Sequence, residues 1–481
     1  MIGVWFRRDL RVADHPALSR AVAQARASGT GVRAVFVATP ETWARHDRSP
    51  AWRRLVAARV QVLHGLLARA GVVLDHVVVP TFAEVPEVLE SWCRTHQVDA
   101  LWAHHEYEVD EVARDEAVAR RLSIPFTRLH DRVLVVPGQV HTQQGDMFRV
   151  YTPFRRRWLQ ALQKNWQGVL PVPQAGPPLA ETALPWPDWA PAEDAPVWPA
   201  EEDAIHARLE RFVAQSLFNY AEQRDRPDLD GTSQVSPWLA IGALSPRQCV
   251  AALLEACPDA LVNPASPGFS WLNELGWRDF YQHLIVAFPQ LVRGQPFQAW
   301  THAVAWRDAP RELDAWQAGR TGFPIVDAGM RQLAATGWMH NRVRMIVASF
   351  LTKDLLIHWQ AGERHFMRHL VDGDFAANNG GWQWAASTGT DAQPYFRVFN
   401  PITQGQRYDP AGDYVRRWVP ELARVPGKHV HTPHTWAQAR GVQLDYPRPI
   451  VDHGAARLRA LQAFEAAKSG RTPEPRQLEG I

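Results

Sequence analysis

The segment Gly231-Thr232-Ser233-Gln234-Val235-Ser236-Pro237 sets three hydroxyls in five residues directly before a helix start. Free backbone N–H groups and the helix dipole favour an anion at such a place. Ordinary Ser-Pro capping accounts for one hydroxyl; the other two fit a phosphate-bearing ligand. Further on, Trp271-Leu272-Asn273-Glu274-Leu275-Gly276-Trp277-Arg278-Asp279-Phe280-Tyr281 has a helical pattern, with Glu274, Trp277 and Arg278 sharing one face at i, i+3 and i+4. That face offers an acceptor, a stacking plane and a forked donor. Read alone, its plainer account is an amphipathic helix whose Glu–Arg bridge is solvated and contributes little.

Two more segments follow. In Trp338-Met339-His340-Asn341-Arg342-Val343-Arg344-Met345, Asn341 and Met345 fall on one helix face, with Arg342 about a third of a turn away. Asn and Arg read base edges and phosphates, and Met is a pliable contact. The stretch Asp372-Gly373-Asp374-Phe375-Ala376-Ala377-Asn378-Asn379-Gly380-Gly381-Trp382-Gln383-Trp384 joins two carboxylates, adjacent amides, a glycine pair and two Trp. Packing alone does not require that set. Its D-x-D pair suggests a metal, but the remainder of a calcium loop, with its distal Glu, is missing. No metal is expected.

The elements that must carry these segments change character along the chain. Short β-branched runs at Ile2–Phe6, Val32–Ala38, Val72–Val79, Ala100–Ala103 and Pro125–Leu129 alternate with helical stretches at Pro16–Ala27, Ala51–Ala70, Phe82–Thr95 and Glu108–Leu122. Such alternation predicts a Rossmann-like α/β domain with a parallel five-stranded sheet over residues 1–130. No G-x-G-x-x-G follows the first strand, so the dinucleotide fingerprint is absent. Residues 131–200 are expected to link two domains, and Leu170–Pro199 within them is rich in Pro and extended in character. Residues 201–481 predict an all-α domain. Ser236-Pro237 and Ser245-Pro246 read as helix starts, Asn341–Gln360 as one helix, and Asp372–Asp391 as a stretch without clean period.

Composition sets limits. At 481 residues the chain exceeds one ordinary domain, and its 46% hydrophobic and 21% charged content is that of a globular protein. A net charge of +2 announces no polyanion, so a nucleic-acid surface must be a local patch. Basic residues are 48 Arg against 4 Lys, which suits phosphates and flat rings. Cys93, Cys249 and Cys257 form neither a disulfide framework nor a metal box. A cytoplasmic monomer is expected, with a first strand at the N-terminus in place of a signal peptide and no membrane span. The 22 Trp exceed ordinary usage. Most pack as core, and Trp also stacks on flat ligands and passes single electrons.

The four segments, in this order and spacing, resemble the photolyase/cryptochrome family, and Val4-Trp5-Phe6-Arg7-Arg8-Asp9-Leu10-Arg11 matches its first strand. The resemblance runs from Ile2 to about Tyr446; Gly380–Thr390 is highly specific to it. The bacterial class I cyclobutane pyrimidine dimer photolyases are the most similar group. The resemblance implies a helical C-terminal domain holding FAD and a light-driven electron transfer to a flipped-out dimer in damaged DNA. It implies that Tyr220, Thr232, Ser233, Gln234, Val235 and Ser236 grip the ribityl-diphosphate. Trp271, Trp338, Arg344, Asp372, Asp374 and Asn378 would line the flavin and adenine, with Asn378 against the reactive flavin nitrogen. Glu274, Trp277, Arg278, Asn341, Met345 and Trp384 would form the lesion side, with Arg224, Arg342 and Arg397 toward phosphates. Trp306, Trp359 and Trp382 match the family's electron-transfer chain.

The same resemblance implies an antenna in the N-terminal domain. His46, Asp110, Glu111 and Arg293 fall where folate-type members bind 5,10-methenyltetrahydrofolate. Asp110 and Arg293 depart from the usual Asn and Lys, which leaves an 8-hydroxy-deazaflavin, or no antenna, in play. A cryptochrome photoreceptor is the alternative to a repair enzyme. Plant-type cryptochromes typically carry Asp, and animal-type ones Cys, where Asn378 stands, which favours repair.

Overall fold

Five runs of β-branched and aromatic residues form strands β1 (Ile2–Phe6), β2 (Val32–Ala38), β3 (Val73–Val78), β4 (Ala100–His104) and β5 (Phe126–Leu129) in a computed structural model that describes residues 1–180, 182–193 and 195–470. All four pairings are parallel, in the order β3-β2-β1-β4-β5. β1 and β2 are almost wholly buried, as expected of strands covered on both faces. The order reverses at β1, where a doubly wound sheet leaves a crevice at the strands' carboxyl ends. Arg7, Arg8 and Asp9 lie just past the end of β1, and Glu106 and Glu108 follow β4.

Helices α1 (Pro16–Ser28), α2 (Pro40–Arg45), α3 (Pro50–Arg69), α4 (Val85–Thr95) and α5 (Val109–Arg121) connect the strands. Then come α6 (Tyr151–Asn165), α7 (Glu202–Gln215), α8 (Tyr220–Gln223), α9 (Ser236–Ile241), α10 (Pro246–Ala256) and α11 (Phe269–Ala287). The chain continues through α12 (Pro310–Gln317), α13 (Pro324–Thr336), α14 (Asn341–Ser349), α15 (Trp359–His369) and α16 (Phe375–Ala386). It ends in α17 (Pro401–Tyr408), α18 (Asp413–Trp418), α19 (Pro433–Arg440) and α20 (His453–Ser469). The expected fold class, a parallel five-stranded α/β sheet followed by a helical C-terminal region, is the one observed.

The chain forms two compact units. One comprises Met1–Glu222, Gly231–Val292 and Met367–Ala377; the other comprises Gln223–Asp230, Arg293–Phe366 and Asn378–Ile481. In the first unit α10 joins the sheet through charge. Ser245 caps α10 in a capping box with Gln248, and its hydroxyl also donates to Asp14 at 2.5 Å. Arg247 pairs with Asp131 at 2.6 Å and Asp14 at 2.9 Å.

Four local expectations differ from the structure. Residues 131–200 contain α6, and the Pro-rich stretch straps over the α/β layer: Ala175 and Leu179 donate to the Ala70 and Ala68 carbonyls at 2.8 and 2.9 Å. Trp189 packs edge-on to Trp43 at 5.1 Å. Asn341–Gln360 is not one helix. After α14 the chain takes a π turn over Phe350–Asp354, and Leu356 has φ +52°. Thr352 bonds back to the Ala348 carbonyl at 2.8 Å, a bond that bends helices.

The stretch past Asp372 is helical from Phe375 to Ala386. Tertiary bonds override its weak propensity: the Asn378 amide donates to the Glu363 carbonyl at 3.0 Å and Asn379 to the Glu363 carboxylate at 2.8 Å. Finally, Ser236 does not cap α9; Val235 holds the cap position, and the Ser236 hydroxyl donates to Asp372 Oδ2 at 2.7 Å.

Candidate cofactor and lesion sites

In the first unit the segment ahead of α9 is held by a residue that the sequence motif does not include. Arg208, on α7, donates to the Ser233 carbonyl at 2.9 Å and the Thr232 carbonyl at 2.7 Å. Gln234 turns through φ +52°, a conformation that non-glycine residues adopt at a cost. The Thr232 hydroxyl oxygen is buried with no partner among the described residues. A buried hydroxyl left unpaired costs about 1–3 kcal/mol, and an anionic acceptor is the kind of partner such a donor suits.

Asp374 is held at both oxygens. Arg132 pairs with Oδ2 at 2.6 Å, the Gln282 amide reaches Oδ1 at 3.0 Å, and the Ala377 N–H donates to Oδ1 at 3.0 Å. It therefore caps α16. Arg132 and neighbouring Arg278 hold this carboxyl below the usual range against the opposing effect of burial. Burial also lowers the Arg278 pKa, and its guanidinium donates to the Arg132 and Leu239 carbonyls. Arg278 positions main chain and presents no free fork.

Glu274 and Trp277 lie on α11, both partly exposed. Tyr151 of α6 stacks on the Trp277 ring, with centroids 3.7 Å and planes 15° apart. A third cluster gathers at the switch point of the sheet. Arg8 pairs with Glu106 at 2.5 Å and Glu108 at 2.6 Å, Arg114 with Glu106 at 2.7 Å, and Arg132 with Glu108 at 3.1 Å. At its rim His46 lies 3.0 Å from Asp110 and 3.7 Å from Glu111. Burial, then Glu108, pushes the Glu111 carboxyl up. His46, Asp110 and Glu111 are thus brought together, whereas Arg293 is exposed on the second unit.

Asp9, His15 and His104 are buried ligand types within metal-binding reach of one another. Asp9 Oδ2 lies 2.7 Å from His104 Nδ1 and 3.2 Å from His15 Nε2. The other ring nitrogens accept from the Ala17 and Leu18 N–H groups at 3.1 and 3.0 Å. Hydrogen bonds engage both nitrogens of each imidazole, so the cluster reads as a structural lock for the start of α1.

In the second unit Asn341 opens α14 and is exposed, Arg342 and Met345 are partly exposed, and the Arg344 Nε donates to the Met339 carbonyl at 2.8 Å. Arg342 pairs with Asp225 at 2.7 Å and lies 4.5 Å over the Tyr408 ring. Asp225 also lies 4.0 Å from Arg224. Arg397 is exposed, Trp338 and Trp384 are partly so, and Asn378 is buried. The three matched Trp occupy one neighbourhood. Trp306 meets His358 edge-on at 5.3 Å, and His358 stacks on Trp359 at 5.7 Å. Trp382 packs on α15 at Gly362, where a Cβ would lie 2.1 Å from the indole. Single-residue periodicity carries no sign of His358, Gly362 or Arg208, because each acts through a fold-level neighbour.

Comparison with known proteins agrees with this geometry. Residues 2–177 match the DNA photolyase family and residues 271–466 the FAD binding domain of DNA photolyase. The chain is 48% identical over 474 residues to the deoxyribodipyrimidine photo-lyases of Salmonella typhimurium and Escherichia coli, covering 97% of this chain and 99% of each relative. A bacterial class III photolyase from Agrobacterium tumefaciens superposes with TM-score 0.84 at 34% identity, covering 97% of this chain and 98% of that one. A Synechocystis cryptochrome superposes with TM-score 0.82 at 29% identity, covering 98% of both chains. The chain belongs to the DNA photolyase family.

Proposed function

We propose that this chain is a light-driven deoxyribodipyrimidine photo-lyase, which splits cyclobutane pyrimidine dimers in damaged DNA. The observation that carries the reading is 48% identity, across 97% of the chain, to proteins of that name. The cryptochrome shares the fold at 29% identity, which favours repair over photoreception.

The donor set fits FAD: a buried hydroxyl without a partner at Thr232, a turn fixed by Arg208, and buried acids at Asp372 and Asp374. When bound in its reduced form, FAD supplies the light-driven electron that opens the dimer, with no net redox change. Tyr220, Thr232, Ser233, Gln234, Val235 and Ser236 are assigned to its diphosphate. Trp271, Trp338, Arg344, Asp372, Asp374 and Asn378 are assigned to its rings. Trp306, Trp359 and Trp382 recharge it from the surface.

The remaining tasks fall to residues that meet DNA. A dimer stacks poorly and so costs less than a normal step to flip out of the duplex. Trp277 stacks on the flipped lesion, and Asn341, Met345 and Trp384 complete its surroundings. Glu274 holds a proton or hydrogen bond at a pyrimidine carbonyl oxygen, where negative charge develops. Arg224, Arg342 and Arg397 meet phosphates. Arg278 acts behind this set, through the main chain that it binds.

Residues 1–130 serve as the antenna-binding part and 201–481 as the cofactor-binding part, with 131–200 joining them. His46, Asp110, Glu111 and Arg293 are assigned to a methenyltetrahydrofolate antenna, with 8-hydroxy-deazaflavin as the alternative. An absorption spectrum of the purified protein tests both assignments. Flavin bands with extra near-ultraviolet absorbance, the latter lost in Glu111→Ala, are expected. A colourless folded protein contradicts the flavin, and an added blue band replaces folate with deazaflavin.

A further inference from the structure

Helix α6 falls in the stretch that reads as linker, yet it packs on the helix that carries Glu274 and Trp277. Tyr151, at its first turn, is only 4% exposed. Its hydroxyl donates to the Asn273 carbonyl at 2.7 Å. Gly276 allows that approach, since a Cβ there would lie 2.7 Å from the hydroxyl oxygen. The far end of the contact is pinned too: Trp158 donates from Nε1 to Asp279 at 2.9 Å, and Asp279 also accepts from the Leu134 and Val135 N–H groups at 2.8 and 3.1 Å.

This anchorage gives the Tyr151 ring a fixed plane, and Trp277 lies parallel to it at 3.7 Å. Phe280 meets the indole edge-on at 5.7 Å, and Tyr281 lies 5.7 Å away at 31°. An indole has two stacking faces. Tyr151 covers one, and Trp277 as a residue remains partly exposed.

We propose that Tyr151 is a positioning residue for lesion recognition, setting the plane of Trp277 before DNA arrives so that its other face meets a dimer without reorientation. The inference rests on the assignment of Trp277 to the lesion. Ordering a side chain in advance removes that entropic cost from binding. The gain belongs to the dimer complex alone, because undamaged DNA keeps its bases stacked in the duplex and does not use that face.

The test is the ratio of affinities of the full-length protein for an oligonucleotide bearing one thymine dimer and for its undamaged copy. Tyr151→Phe keeps the stack and is expected to keep the ratio. Tyr151→Leu is expected to lower the ratio three- to tenfold with undamaged binding unchanged. In a Trp277→Ala background, Tyr151→Leu is expected to change nothing further. Tyr151→Met, flexible and without a plane, substitutes if the Leu variant does not fold. A parental ratio in Tyr151→Leu, alongside a lost ratio in Trp277→Ala, overturns the role of Tyr151 alone. So does an equal loss with and without Trp277. A parental ratio in Trp277→Ala overturns the lesion assignment and this inference with it.

Discussion

Arg342 and Asp225 are joined by an Nη2–Oδ2 contact of 2.7 Å, so the guanidinium assigned to a phosphate already has a carboxylate. Asp225 competes with a phosphate for that charge. Asp225→Asn is therefore expected to tighten binding to damaged and undamaged DNA alike, several-fold at low salt. Arg342→Ala is expected to weaken both and to reduce the slope of log affinity against log salt by about 0.9. Titrations over a salt series check this; an unchanged slope removes Arg342 from the phosphate path.

Buried histidines set the acid limit of stability. Burial lowers His15, His283 and His340 to about 4 from an ordinary 6.5. Between these values the unfolded chain binds more protons than the folded one. Stability should therefore rise from pH 4 to 6.5, by up to about 1.4 kcal/mol per pH unit for each histidine. Asp279, raised by burial to about 6, works in the opposite sense over nearly the same window. His105, also lowered by burial to about 4, adds to the histidines, while burial raises Glu111, Asp327, Asp354 and Asp409, which act in the same sense as Asp279. The histidines start from the highest unfolded value, so their share governs the upper part of the window and urea midpoints at pH 5 should fall below those at pH 7.

Arg132 pairs with two buried carboxylates, Glu108 and Asp374. Removing it leaves both without that charge, and breaking a buried pair from one side costs about 3–5 kcal/mol. Arg132→Ala should lower the thermal midpoint well beyond the effect of a surface Arg such as Arg156→Ala. Calorimetry measures the difference.

The Trp arrangement predicts a separation of roles. Trp306→Phe should block light-driven reduction of the oxidised cofactor while sparing repair by protein reduced chemically beforehand. Gly362→Ala places a methyl into the Trp382 ring. Overpacking of that kind costs about 1–3 kcal/mol, and it should slow the same photoreduction. Flash spectroscopy paired with a repair assay distinguishes recharging from repair.

Much of this was legible in the sequence because periodicity and hydroxyl or amide spacing are local. The strands of β1 and β2 and the Ser245 cap follow from patterns within a few residues. The helix Phe375–Ala386 was not legible, since Asn378, Asn379 and two glycines are poor helix formers and Glu363 holds the amides from elsewhere in the chain. For the same reason the partners that fix Asp374, namely Arg132, Gln282 and the Ala377 N–H, do not show in its local sequence. The partners of Arg342, Arg278 and Trp277 lie 117, 146 and 126 positions away along the chain, a separation that only the fold closes.

Glu274 is the group assigned to charge on the lesion, and light-dependent repair per absorbed photon by Glu274→Ala at saturating dimer is the most direct measurement. A lost hydrogen bond involving charge costs about 1.5–3 kcal/mol. The parent should convert dimers to pyrimidines in light and not in darkness. Glu274→Ala should show a lower yield with an unchanged flavin spectrum. A flavin-loaded parent that leaves dimers intact in light would contradict the photo-lyase account, and a Glu274→Ala protein with parental yield would contradict the role of Glu274.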